Sequence, residues 1–153
     1  MYENGTGVIK DYNKAIQLYK AAIEKGNSSA LNNLAHMYLF GIHVKQNYLV
    51  AYELFKKYMV KGNTMALNNL GYMYQHGYYV KQNILMTCEL YEKAIENGNI
   101  TNLHELILLY KTPDYDKIIK LYKIGVSRND SKSITDLTQL LKIKSLETEI
   151  SMT

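Results

Sequence analysis

The chain has 153 residues, 47% of them hydrophobic and 21% charged, with a net charge of +4. This is enough for one globular domain or several small stacked units, and the positive charge is too diffuse to point to nucleic acid. One cysteine, Cys88, excludes a disulfide framework, and the longest apolar run falls far short of the roughly 20 residues of a membrane span.

Along the chain, a glycine-bearing turn at Gly5-Thr6-Gly7-Val8 leads into a first helix near Asp11–Lys25. Ala15, Leu18, Tyr19 and Ala22 form its apolar stripe. A second helix is expected over Ser28–Phe40, where Ala30, Leu31, Leu34, Met37 and Tyr38 share a face at helical spacing. A third covers Tyr48–Lys61, with Ala51, Leu54, Phe55 and Tyr58 as its stripe. Asp11, Asn47, Asn83 and Asp114 stand before such helices, where their side chains can accept backbone N–H bonds. Gly26, Gly62 and Gly98 follow them, and Asn129 takes the same place later; each suits a left-handed residue past a helix end.

These elements recur. Gly5, Gly41 and Gly77 are 36 residues apart (41−5, 77−41), as are Val8, Val44 and Val80 and the pairs Gly26-Asn27, Gly62-Asn63 and Gly98-Asn99. Such a period marks a repeat array. Each unit reads as helix A, a loop and helix B, giving an all-α fold of antiparallel helix-turn-helix repeats with a 36-residue period. One hairpin cannot bury both apolar stripes, so neighbours must stack. The expected organisation is one repeat domain over 1–153: a half unit 1–27 holding helix B only, units 28–63 and 64–99, a unit 100–130 with a shortened loop, and a capping helix and tail 131–153. In that cap, Leu137, Leu140 and Leu141 are expected to face the stack, with Lys132, Asp136, Gln139 and Lys142 toward water.

Three motifs carry a family resemblance: Asn69-Leu70-Gly71-Tyr72-Met73-Tyr74, Gly5-Thr6-Gly7-Val8, and Asp11-Tyr12-Asn13-Lys14-Ala15 with Gly26-Asn27. Over residues 1 to about 130 the chain resembles the Sel-one-like branch of the tetratricopeptide-type repeats. The resemblance implies a right-handed superhelical solenoid and an adaptor role in assembling protein complexes. The second loop glycine of the pattern is replaced by His43 and Tyr79, so those loops are expected to differ in shape. Met1-Tyr2 aligns with the end of a helix A, so the chain starts in mid-repeat. It is either an uncapped half-unit, with self-association through that end, or part of a longer array; exposed repeat ends normally need polar caps, which favours the array.

Catalytic and ligand motifs fail one by one. Gly5-Thr6-Gly7 lacks its third glycine, since position 10 is Lys10. His104-Glu105 begins like a zinc-protease helix, but Leu108 stands where the second histidine belongs. His36, His43, His76 and His104 form no metal-ligand spacing and read as exposed polar positions. Cys88 reads as a small buried hydrophobe. The expectation is a non-enzyme with no catalytic residue, cofactor or metal. It binds a protein or peptide and neither nucleic acid nor membrane, and it resides in the cytoplasm. The rival reading is a purely structural or regulatory segment of a longer array, with the binding site elsewhere.

A helical wheel centred on Leu34, at about 100° per residue, puts Asn32, His36 and Leu39 opposite the core. Met65, Asn68, Tyr72 and Gln75 are their counterparts in the next unit, and His104 and Leu108 follow. In stacks of this kind that side of helix A lines a concave groove, so these nine residues are the candidate partner-binding set. Asparagines there could hold an extended peptide backbone, donating and accepting at once. Asn33 and Asn69 match the family motif and read as structural. Tyr78 and Tyr79 lie outside the core pattern and are candidate loop contacts, as tyrosine is enriched at interfaces.

Overall fold

The computed structural model describes the backbone of residues 12–60, 62–110 and 114–151, and side chains within those spans as far as residue 143. Among the described residues there are eight helices and no strand. They are α1 (Tyr12–Glu24), α2 (Ser28–Phe40), α3 (Tyr48–Val60), α4 (Met65–His76), α5 (Ile84–Glu96), α6 (Leu103–Leu109), α7 (Tyr115–Ser127) and α8 (Ser131–Ser151). The chain divides into two compact units, Met1–Leu90 and Tyr91–Thr153, with the division inside α5.

The helix ends follow from a few side chains. Asn47 Oδ1 accepts from the Val50 N–H at 3.1 Å, Asn83 Oδ1 from Met86 at 3.0 Å, and Asp114 Oδ1 from Lys117 at 3.1 Å. These bonds satisfy N–H groups that a helix start leaves without partners. Asp11 lies outside the described residues. The asparagines after the glycines do the same for the next helix: Asn27 Oδ1 accepts from Ser29 and Ala30, Asn63 from Met65, and Asn99 from Thr101. Gly26, Gly62 and Gly98 are left-handed, and so is Asn129 at φ 59°.

In the first unit, Ala35 and Leu39 of α2, Ala51 and Phe55 of α3, and Leu70 and Met73 of α4 form a buried cluster. Leu31, Tyr58 and Ala66 form a second one beside it. Each large side chain taken fully from water contributes about 1.5–3 kcal/mol. α5 is tied to α4 by Thr87, whose buried hydroxyl lies 3.2 Å from the Gly71 carbonyl and 3.0 Å from its own-helix Asn83 carbonyl. α1 buries only Ala15 among its described residues, and its Leu18, expected on the apolar stripe, is 50% exposed.

In the second unit, Leu103 and Leu106 of α6 and Ile118 and Leu121 of α7 are buried. Glu92 Oε1 accepts from the Tyr110 hydroxyl at 2.9 Å and pairs with Lys117 Nζ at 2.6 Å. α7 and α8 approach closely at Gly125 and Ser133, both buried. In α8 the assignment of faces is corrected. Leu141 is 46% exposed, whereas Asp136, expected in water, is half-buried against His104. α8 packs on α7 through Ser133 and turns Asp136 inward toward α6.

The substituted loops keep one conformation. His43 and Tyr79 have left-handed φ of 59° and 67°. In both loops a glutamine closes back on the preceding helix, Gln46 Nε2 to the Leu39 carbonyl at 2.9 Å and Gln82 Nε2 to the Gln75 carbonyl at 2.7 Å. Replacing the loop glycine therefore leaves a left-handed residue in place, held by a side-chain bond.

Candidate functional site

The expected groove residues separate into two kinds. Leu39 and Asn68, expected opposite the core, are 2% and 7% exposed. A wheel with one core centre is wrong for these helices because each meets several neighbours. α4 touches α3, receives Thr87 from α5 at Gly71, and meets α2 through Asn69 Nδ2, which donates to Asn32 Oδ1 at 2.8 Å. Leu39 is accordingly a core residue. Asn32 is engaged by a neighbouring helix, and Asn68 Oδ1 is buried with no hydrogen-bond partner. Neither Asn68 nor Leu39 is a surface contact.

In the first unit the candidates gather around aromatic rings. His36 stacks on Phe40 at 5.8 Å, and Phe40 lies 6.2 Å from Tyr72. Tyr72 contacts His76 at 4.3 Å and Tyr78 at 5.9 Å, and Tyr78 stacks on Tyr48 at 4.7 Å. The result is a continuous row of rings from α2 across α4 to the α4–α5 loop. Tyr72 and Tyr78 are half-buried against the core cluster rather than outside it. Phe40, which the wheel did not select, is 50% exposed at the middle of the row. Its signal was present in the sequence as a large apolar residue at the last position of a helix.

The electrostatics of the row are mild. His36 is half-buried with its edge against Phe55 at 5.3 Å, and burial holds its pKa below the ordinary value, so the ring is neutral at pH 7. Burial first, then Tyr78, raises the Tyr72 phenol. Met65 and Tyr79 are exposed and Gln75 is half-buried with its carbonyl engaged by Gln82.

In the second unit Leu108 is 79% exposed. His104, expected as an exposed polar residue, is instead half-buried. Its Nε2 lies 3.6 Å from Asp130 Oδ2 and 3.7 Å from Asp136 Oδ2, within ion-pair reach but beyond hydrogen-bond length. The Ser133 hydroxyl and backbone N–H, at 2.5 and 2.9 Å, hold the Asp130 carboxyl below its usual range, with His104 and Lys132 adding to this. Tyr122 is pushed up by burial and then by Asp136. Among the described residues no group of three or more His, Cys, Asp or Glu could hold a metal, and no helix is long and apolar enough to cross a membrane. Cys88 is buried and takes part in no disulfide.

A family model described as Sel1 repeat matches residues 1–27, 28–57 and 64–99. A Sel1 repeat protein from Oxalobacter formigenes superposes with a TM-score of 0.76 at 26% identity, over 91% of this chain and 59% of that one. A protective antigen of uropathogenic Escherichia coli strains, displaying an SLR fold, gives 0.73 at 29% identity, over 90% of this chain and 31% of that one. The chain thus spans less than two thirds of either structure. Comparison with curated proteins finds no match.

Proposed function

This chain belongs to the Sel1 repeat family, and we propose that it is a non-catalytic scaffold that binds a partner polypeptide along the aromatic row of its first unit. Helical repeats of this kind stack into extended surfaces suited to binding. The observation that carries the reading is the ring row His36–Phe40–Tyr72–Tyr78, whose half-buried rings meet Phe40, 50% exposed, at its middle. Aromatic side chains offer large, rigid contact area and are enriched at interface centres. Met65, Gln75 and Tyr79 are proposed as further contacts. Asn32 and Asn68 drop out as peptide clamps, because one is engaged by Asn69 and the other is buried. The lone Cys88 fits a reducing setting, so the proposed location is the cytoplasm. Residues 100–130 are proposed as a fourth unit with a shortened loop, and 131–153 as a cap.

The test is site-specific cross-linking in the native cell with a photoreactive phenylalanine analogue at position 40. Adducts to a discrete protein are expected there and not from the same analogue at Val60, which is 82% exposed. The captured partner should then bind Phe40→Ala at least fivefold more weakly, equivalent to about 1 kcal/mol. Equal labelling at the two positions, or unchanged affinity, would remove the row from function. The second reading is a structural segment of a longer array with its binding site elsewhere. It is favoured by the greater length of the two similar structures, and absence of adducts at position 40 would support it.

A further inference from the structure

The second unit contains a groove of about 350 Å³ between α6, α7 and α8. Its walls are the aliphatic side chains of Ile107, Ile118, Leu140 and Ile143, and Tyr122 and Asp136 supply polar lining. The volume lies at the lower end of ligand sites, roughly 300–1,000 Å³, and suits one long side chain. The charges at its polar end do not balance. Asp130 and Asp136 share the single imidazole of His104, at 3.6 and 3.7 Å. Even a protonated imidazole brings one positive charge to two carboxylates. Asp130 has further support from the Ser133 hydroxyl and N–H and from Lys132. Asp136 has His104 and the Tyr122 hydroxyl, and among the described residues no lysine or arginine pairs with it.

We propose that this groove docks a lysine side chain of a partner polypeptide, with its alkyl stem along Ile107, Ile118, Leu140 and Ile143 and its ammonium at Asp136. A purely apolar occupant would strip water from the Asp136 carboxylate without replacing it, which is costly. An ammonium supplies the missing charge and hydrogen bonds together. Lysine suits the site better than arginine. The Asp136 carboxylate already faces His104 and Tyr122, which leaves room for a point charge rather than for a two-bond guanidinium fork. The aromatic row lies in the other unit, so this inference stands apart from the cross-linking result at position 40.

The experiment uses the full chain with 13C-labelled isoleucine methyls, titrated with Nα-acetyl-lysine methylamide and with Nα-acetyl-norleucine methylamide. The second probe has nearly the same stem and no ammonium. Saturable shifts of the Ile107, Ile118 and Ile143 methyls are expected with the lysine probe, and binding at least fivefold weaker with norleucine. Asp136→Asn should bring the two probes within twofold of each other. Gln139→Lys, which also lines the groove and lies three residues along α8 from Asp136, should weaken the lysine probe at least fivefold by supplying an internal ammonium. Thermal melts of both variants verify that the fold persists. Equal binding of the two probes, a lysine preference that survives Asp136→Asn in a folded variant, or no movement of the three methyls would overturn the proposal.

Discussion

Gly125→Ala is a substitution whose sign distinguishes local from tertiary control of stability. Inside an exposed helix, replacing glycine by alanine gains about 1 kcal/mol. At Gly125, in α7, a Cβ would overlap Ser133 Oγ and lie 2.6 Å from Ser133 Cβ. Ser133 cannot step aside easily. It is fully buried, its N–H is bonded to Asp130 Oδ2 at 2.9 Å, and its hydroxyl donates to the same oxygen at 2.5 Å. Overpacking costs about 1–3 kcal/mol, and losing a hydrogen bond to a carboxylate costs about 1.5–3 kcal/mol. Set against the propensity gain, the net expectation is a loss of about 1.5–5 kcal/mol. Urea titration of the full chain, with amide exchange resolved for α7 and α8, measures it. Ser133→Gly alone should also destabilise, yet combined with Gly125→Ala it should restore part of the loss, because the clash is gone. That positive coupling is the mark of direct contact. If Gly125→Ala is neutral or stabilising, or the double variant is merely additive, the close approach of α7 and α8 is not as described.

Leu70, 3% exposed in the first-unit cluster, should cost about 2–5 kcal/mol when changed to alanine; a loss under about 1 kcal/mol in the same urea titration would take it out of the core. Tyr52 gives a pH signature. Its hydroxyl lies 3.4 Å from that of Tyr74, and this bond, then burial, pushes its pKa from the ordinary 10.0 up to about 12. The folded chain therefore holds this proton more tightly than the unfolded one. The associated stability is complete below pH 10 and is lost as pH rises through about 12. Tyr52→Phe should flatten alkaline destabilisation over that window and remove a late phenolate component from the absorbance titration. An unchanged alkaline profile would refute the Tyr52–Tyr74 coupling.

Much of the helical framework was legible in the sequence because it rests on local chemistry. The range Ser28–Phe40 follows from periodic apolar residues, and the caps at Asn47, Asn83 and Asp114 from short polar side chains placed before them. Left-handed glycines at 26, 62 and 98 end helices by the same local logic. The second role of the Gly-Asn pairs, in which Asn27, Asn63 and Asn99 start the next helix, was equally local but was not drawn from the motif. Burial was harder to read because it depends on how many neighbours a helix meets. A single core centre misassigned Leu39 and Asn68, since six of the twelve residues of α4 are buried, spread around its circumference. The apolar stripe of α1 likewise puts Leu18 inside, although it is 50% exposed.

The candidate site lay between these cases. His36 and Tyr72 were visible as aromatic side chains at corresponding places in successive units, but what joins them is Phe40, at a helix end where periodicity carries little information. The far end of the row depends on a loop. Tyr78 reaches back over Tyr72 and His76 from between Gly77 and Tyr79, both left-handed, at φ 70° and 67°. For glycine that conformation is free, whereas for tyrosine it costs roughly 1–2 kcal/mol. A chain that accepts this cost gains a ring, 53% exposed, beside Tyr52 at 5.3 Å. Strained residues of this kind concentrate where surfaces are used. The tyrosine at 79 is thus a departure from the family's glycine that adds aromatic surface while Gln82 holds the loop in place. The same local substitution that made the loop look divergent in sequence thus adds an exposed ring beside Tyr52.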